Sequence, residues 1–578
     1  MDRRVAIVGA GQSGLQLALG LVDAGYEVTL VSNRTAEQLA SGQVQSSQCM
    51  FGSALETERA LGLDFWSEAC PPVEGIAFAA PSPDGDGKAI DWAARLDRPA
   101  QSVDQRLKLS GWLREYERRG GRLTVQEAGI DDLERLAREH DLVVVATGKG
   151  ELGGLFARDA ERSPYERPQR ALALTYVCGL EPRPAYSAVC FNLVPGVGEY
   201  FVFPALTTNG PCEIMVFEGV PGGPMDCWAD VRTPAGHLTR SLEILERFLP
   251  WELARCGGVE LTDPNGILTG RFAPTVRRPV GRLPSGAPVL AMADAAVLND
   301  PITGQGSNNA AKCAEIYLER VLAHGDDAYD ELWMQQTFDT YWRGYAQWVV
   351  SWTNAVLAPP RQHVVTLLDA AQELPSLASA IANGFDDPRT FYPWWFDEVE
   401  AARLIEAKRS QAAQGLDLRE LRNAFGQFAT GVTVVTGRAE DGRPVGVTAN
   451  SFSSLSLEPP LVLWCLARDA ASLPVFRGCT HFGVNVLSSG QHHLSRLFAT
   501  AGADKFGQTE VLDGPSGVPL LGGVLAHFVC RNVRQIDAGD HVIIMGEVEH
   551  YDTFDGEPLV FHSGSYRVTT RHPDLEGP

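Results

Sequence analysis

Apolar residues change their period twice within the first 34 positions. Val5-Ala6-Ile7-Val8 is an unbroken run that predicts a buried strand. Gln12 to Ala24 carries helical spacing closed by Gly25, and Val28-Thr29-Leu30-Val31 predicts a second strand. Asp104 to Arg119 predicts another helix, ended by Gly120-Gly121, and Leu142 to Gly148 a further buried strand running into a glycine turn. Between residues 170 and 275 the pattern shifts to alternation, as in Tyr200-Phe201-Val202-Phe203 and Glu213 to Phe217, with Pro and Gly turns between. Pro288 to Met292 returns to a core strand and Gly306 to Ala323 to a helix. Aromatic-rich helical segments around Trp342, Trp348 and Trp352 follow.

Residues 358 to 415 read as a junction, interrupted by Pro359-Pro360 and Asp386-Asp387-Pro388. Within it, Glu398 to Gln414 is a charged, alanine-rich helix, either a cap on what precedes it or a true linker. From Leu416 onward short strands with turns at Asp441-Gly442, Glu458-Pro459-Pro460 and Asp555-Gly556 predict a compact β-barrel. A chain of 578 residues is expected to form two or three domains. Its net charge of −23 opposes nucleic acid and anionic membrane as partners. The 11 cysteines, spread from Cys49 to Cys530 without metal-ligand spacing, suit reduced thiols and no metal centre. Arg3-Arg4 and the apolar run after them do not make a secretory start, because the run breaks at Gly9. No segment approaches the ~20 apolar residues of a membrane helix. A cytoplasmic protein is the expectation.

The turn Gly9-Ala10-Gly11-Gln12-Ser13-Gly14 has the strand-before, helix-after context of a dinucleotide fingerprint. The first glycine allows the tight turn, the second lets backbone approach a pyrophosphate, and the third packs helix on strand. The helix N-terminus adds free N–H groups; a purely structural turn is the alternative. Ser32-Asn33-Arg34 stands where a ribose-binding acid is expected, and Arg34 would suit the 2′-phosphate of NADP. Two later stretches, Ala146-Thr147-Gly148 and Asp294 with Asp300-Pro301-Ile302-Thr303-Gly304-Gln305-Gly306, favour a flavin instead. An Asp after a core strand accepts hydrogen bonds from ribityl hydroxyls. A Pro/Gly loop ahead of a helix aims N–H groups at the electron-rich pyrimidine edge.

Together these residues resemble the FAD-binding pattern of the aromatic-hydroxylase-like flavoprotein monooxygenases, and within them the styrene and indole monooxygenases. The resemblance spans residues 2 to 410. It includes Val103-Asp104-Gln105-Arg106-Leu107, where it places Arg106 at FAD, and Asn383-Gly384-Phe385 and Pro393-Trp394-Trp395-Phe396. It departs at Asn33 and Arg34. It implies that oxygen is carried on the flavin as a C4a-hydroperoxide, so no acid or base is needed in the oxygenase. The protein's tasks are then a dry cavity and a positioned C=C bond. Phe201, Phe203 and the Pro301-Ile302-Thr303 loop are candidate substrate-lining residues, with ordinary core as the alternative for the Phe pair.

Residues 417 to 570 resemble the short-chain flavin reductases with an FMN-binding split barrel. The carriers are Phe428 to Val435, Gly446 to Leu455, Pro459 to Val462, Phe482 to Leu487 and Gly539-Asp540-His541. Thr448, Ala449, Asn450 and Ser451 offer small donors to a flavin. The resemblance places Ser472 at a phosphate and His541 near the nicotinamide, and Lys505-Phe506 supplies a cation and an aromatic plane. The expected architecture is α/β followed by β. A Rossmann-like FAD-binding domain (1–165 and 280–325) carries an inserted substrate sheet (166–279) and a helical cap (326–410). A linker helix (398–416) leads to a split barrel (417–578). The expected function is a self-sufficient monooxygenase: NADH reduces FAD at the tail, and the front uses reduced FAD and O2 to epoxidise styrene, indole or a similar aryl alkene. A homodimer through the tail is implied by resemblance. The alternatives are an NADH:flavin reductase with a weak oxygenase, and an NADPH-dependent single-component hydroxylase.

Overall fold

The computed structural model describes residues 3–83, 87–147, 151–325, 327–413, 418–468, 470–500 and 505–569. The chain forms two compact units, Met1–Gly415 and Leu416–Pro578.

The first unit has two sheets. One is six-stranded, in the order Val280–Arg282, Pro288–Ala291, Leu142–Val145, Arg4–Val8, Glu27–Ser32, Arg122–Val125. All neighbours are parallel except Val280–Arg282 against Pro288–Ala291. The unbroken apolar runs are explained by burial on both faces. Val8 pairs with Val31 and Val145, so these strands end side by side. That edge is where a parallel sheet opens a crevice for a ligand. The helices Gln12–Asp23 and Gly306–Leu322 pack so closely that a Cβ on Gly20 would lie 2.4 Å from Leu318.

The second sheet is mainly antiparallel, in the order Glu260–Leu261, Ala171–Cys178, Gly210–Gly219, Gly198–Thr207, Ala188–Val194, Pro72–Pro81, Lys88–Gln101, with Ile267–Gly270 also against Ala171–Cys178. Two of its strands, Pro72–Pro81 and Lys88–Gln101, come from ahead of residue 166, so the sheet is not confined to 166–279. Trp92, Ala94 and Leu96 alternate inward there. One face, with Leu174, Phe201, Phe203 and Val216, shares a core with Ile302, Trp352 and Phe385. The other, with Tyr200, Val202 and Phe217, is covered by the helix Pro234–Phe248. The helix Glu398–Ala413 buries Ala401 and Ile405 in the first of these cores, so its front half acts as a cap on this unit. Residues 414–416 of the expected linker helix lie outside the described residues.

The second unit is built on a seven-stranded antiparallel sheet. The order is Pro444–Ala449, Thr433–Arg438, His481–Val486, Ala526–Ala538, His541–Thr553, Pro460–Ala467, Ser453–Leu457. Its two edge strands follow one another in the chain, joined only by Asn450 to Phe452. Three residues reach about 11 Å when extended, so the sheet must roll back on itself. Trp464, Phe476 and Phe482 fill the inside.

Candidate functional site

A cavity of about 1240 Å3 opens in the first unit at the ends of the parallel strands. It is lined by the glycine turn, Asn33 and Arg34, Thr147, Asp294, the Pro301–Thr303 turn and the apolar face of the second sheet. Gly9 has φ +120°, and Gly14 sits so that a Cβ would lie 1.9 Å from the Gly9 carbonyl oxygen. Gly11, in contrast, has nothing within 4 Å of where its Cβ would be. Two residues thus build the turn, and one leaves a cradle that a methyl group would fill. Gln12 and Ser13 are buried at the start of the helix. The Gln12 amide donates to Gln16 (3.1 Å) and to Glu58 (3.0 Å), and Lys108 pairs with Glu58 behind them.

Opposite this turn, Asp300 caps the Pro301–Thr303 turn by accepting from the Ile302 N–H (3.2 Å). Gly304 follows in the left-handed region at φ +65°, and Gly306 begins a 17-residue helix. Both that helix and Gln12–Asp23 therefore start at the cavity, where their free N–H groups favour negative charge. Gln305 is fully buried and does not line the cavity. Its amide donates to Phe385 O (2.8 Å) and its oxygen accepts from Tyr345 (3.4 Å), so it holds the loop. Asp294 is exposed on the cavity side, and Gly148 lies outside the described residues.

Arg106 does not line the cavity. Its side chain is buried and forms paired hydrogen bonds with Asp104 (2.9 and 2.7 Å) and Asp263 (3.0 and 2.9 Å), which tie most of its donors to the protein. Gln105, its neighbour, lines the cavity instead.

Phe201 and Phe203 are each 6 % exposed, belong to a core cluster and line the cavity. With Leu172, Leu174 and Val216 they form a largely apolar wall. Sequence reasoning missed Gln45, Gln48 and Asn299. All three line the cavity, and Gln45 Nε2, Gln48 Oε1 and Asn299 Nδ2 are buried without a protein partner. Polar atoms orphaned in this way, together with the open cradle at Gly11, fit an extended polar ligand such as FAD.

In the second unit the expected residues fall into two groups. The Thr448 hydroxyl donates to Ser495 O (2.6 Å), and Ser451 bonds both N–H and C=O of Cys465 (2.9 and 3.2 Å). Ala449 is buried between them and Asn450 is exposed. The Lys505 ammonium donates to the carbonyls of Gly446 (3.2 Å) and Phe498 (2.8 Å), and burial lowers its pKa. Phe506 packs edge-on to Phe498 at 5.3 Å. The second group is at the hairpin of the two long strands. His541 is half-exposed beside Asp540 (2.9 Å) and pairs across the sheet with Ala467, near the loop that leads to Ser472.

Residues 425–570 match the family model "Flavin reductase like domain". An NADH-dependent FMN reductase of Agrobacterium fabrum is 46% identical over 152 residues, 26% of this chain and 86% of that protein. The C-terminal unit belongs to the flavin reductase family. An NADH:FAD oxidoreductase structure from Streptomyces globisporus is 40% identical, covering 28% of this chain and 96% of that one, with a TM-score of 0.26. Residues 148–255 match the model "Styrene monooxygenase A putative substrate binding domain". A styrene monooxygenase of Pseudomonas fluorescens is 29% identical over 399 residues, 67% of this chain and 94% of that protein. A region similar to styrene monooxygenases is therefore fused to a flavin reductase domain. No helix among the described residues is long and apolar enough to cross a membrane.

Proposed function

We propose that this flavin-dependent monooxygenase epoxidises an electron-rich aryl alkene of the styrene or indole type, with FAD reduced by NADH in its own C-terminal unit. The observation that carries the reading is the make-up of the front cavity. An open glycine turn and two helix N-termini lie on one side, and a wall of Phe201, Phe203, Leu172, Leu174 and Val216 on the other. When bound, reduced flavin would supply the oxygen activation. Gly11 and the helix starting at Gln12 would hold its pyrophosphate, Asp294 its ribityl chain, and the Pro301–Thr303 turn with the start of the helix at Gly306 its pyrimidine part. The apolar wall excludes water and orients the alkene.

In the tail, read as a split barrel, Thr448, Asn450 and Ser451 would hold the flavin and Ser472 its phosphate, with His541 on the nicotinamide side. Lys505 and Phe506 close over the strand that carries Thr448. Exposed apolar side chains there, including Leu457 (91 %) and Phe428 (77 %), support a homodimer through this unit. The test is product analysis of the full chain with NADH, catalytic FAD and either styrene or indole. Styrene oxide, or blue pigment from indole, is expected. Hydrogen peroxide with no oxygenated product overturns the proposal, and a strict requirement for NADPH would restore Arg34 to binding the 2′-phosphate of that cofactor.

A further inference from the structure

Behind the cavity wall the register of the second sheet lines up an unusual row. Glu218 lies directly across from Glu199 on one side and Leu172 on the other. Two residues along each strand, the same face carries Val216, Phe201 and Leu174, which line the cavity. Glu218 is 0 % exposed, Glu199 3 % and Asp300 1 %. Three carboxyls are thus buried together, and Arg170 is the cation among them.

Four of the five donors of that cation are already committed. Arg170 Nε and Nη2 go to Glu199 (2.6 and 2.9 Å), and Nη1 goes to the carbonyls of Gln169 (2.9 Å) and Leu357 (3.4 Å). Tyr165, which also faces Asp300, donates to Asn354 O (3.0 Å). Asp300 receives the Ile302 N–H, whereas neither oxygen of Glu218 meets a donor among the described residues. Glu218 and Asp300 lie close enough for each to act on the other's charge. Two neighbouring carboxylates, both out of water and with Arg170 bound mainly to Glu199, are not both ionised.

We propose that Glu218 is a protonated acid that shares its proton with Asp300, and that this hydrogen bond positions the Asp300–Thr303 turn in the wall of the oxygenase cavity. Glu218 is a positioning residue: it acts through Asp300, whose other hydrogen bond caps the turn. The inference needs only the fold of the first unit and stands apart from the choice of substrate. Burial first, then the charges of Asp300 and Glu199, raise the Glu218 pKa well above the carboxyl range, and burial raises that of Asp300. The pair titrates as a unit.

In the unfolded chain Glu218 is ionised above about pH 4.3, so folding must take up a proton at neutral pH. The stabilising effect is complete below the ordinary carboxyl range and is lost as pH rises toward the pair's upper titration. Between those limits the opening constant of the turn should rise about tenfold per pH unit, levelling off above the folded-state pKa, where the proton has left and the turn faces two like charges.

The test uses the full chain, flavin-free, with isotope-labelled glutamate. Infrared spectra at pH 7 to 8 should show a protonated carboxyl band that Glu218→Gln removes. Hydrogen exchange of the peptide spanning Ile302 to Gly304 should lose protection with pH in the wild type, after correction for intrinsic exchange. In Glu218→Gln, whose amide donates to Asp300 at every pH, it should stay flat. In Glu218→Leu, similar in size but without a donor, protection should fall at least tenfold. Product formed per NADH should decline with alkaline pH in the wild type and not in Glu218→Gln. If Glu218→Leu does not fold, the infrared and Glu218→Gln comparisons still decide the matter. Absence of a Glu218-dependent acid band, or the same pH response of the turn in wild type and Glu218→Gln, overturns the proposal.

Discussion

Changing Gly11 and Gly14 separately to alanine should give opposite kinds of damage. A Cβ on Gly14 would stand 1.9 Å from the Gly9 carbonyl oxygen, and contacts below 3.0 Å are essentially never seen. The obstacle is backbone, so no side-chain rotation relieves it. The helix Gln12–Asp23 would have to lift off the strand Arg4–Val8. Overpacking of this kind costs about 3 kcal/mol or more. Gly11 differs: its φ of −83° suits alanine, and there is empty space where the methyl would go. Gly11→Ala should therefore change stability by less than ~1 kcal/mol. It would place a methyl where the pyrophosphate approaches backbone, and a tenfold loss of flavin affinity corresponds to about 1.4 kcal/mol. The assay is thermal unfolding beside a two-step flavin titration of the full chain, in which the reductase step serves as internal control. Wild-type flavin affinity at the oxygenase step of Gly11→Ala, or wild-type stability of Gly14→Ala, would refute the reasoning.

Arg106→Gln should destabilise the first unit by about 3–5 kcal/mol, because Asp104 and Asp263 then lose their buried cation. Denaturant unfolding measures this, and an unchanged flavin affinity in the folded fraction would distinguish a structural Arg106 from a flavin-binding one. Phe203→Ala should lower product formed per NADH while leaving NADH oxidation by the tail intact, read by parallel product and absorbance assays. Cutting the chain between Ala413 and Leu418 should preserve NADH oxidation. It should reduce product per NADH at limiting flavin, since tethering holds the two units at an effective concentration on the order of millimolar; equal coupling before and after the cut would remove the benefit of fusion.

Local chemistry made much of the site legible in the sequence. Gly9, Gly11 and Gly14 each have a reason that depends on their immediate neighbours, and the structure gives each the expected place. The geometry of the Pro301 to Gly304 turn was readable for the same reason, as a short loop set by its own Pro, Gly and capping Asp, whereas Gln305 turns away from the cavity to bond Phe385 and Tyr345. What was not legible depends on distant partners. Arg106 is engaged by Asp263, 157 positions later, so its neighbourhood in sequence said little about its role. The alternation of Trp92, Ala94 and Leu96 marks a strand but not which sheet it joins, and so the second sheet was drawn too small. Gln45, Gln48 and Asn299 carry no periodic or motif signal; only a cavity around them reveals orphaned polar atoms.

The acid pair and the helix ends at the cavity constrain each other. The N-terminus of a helix such as Gly306–Leu322 carries roughly +0.5 elementary charge, and it faces a space suited to an anionic group. Asp300 stands in the loop that leads into that helix, with Glu218 against it. Fully ionised, the two carboxyls would bring two negative charges and outweigh the helix end. With one proton shared they bring a single charge, partly offset by the Ile302 N–H. At an effective dielectric of ~20, one unit charge removed from ~8 Å relieves about 2 kcal/mol of repulsion toward an anion. The proton that holds the turn in place therefore also preserves the field that an electron-rich ligand needs. Affinity for reduced flavin should weaken with alkaline pH more steeply than affinity for the oxidised form, and Glu218→Gln should abolish that difference.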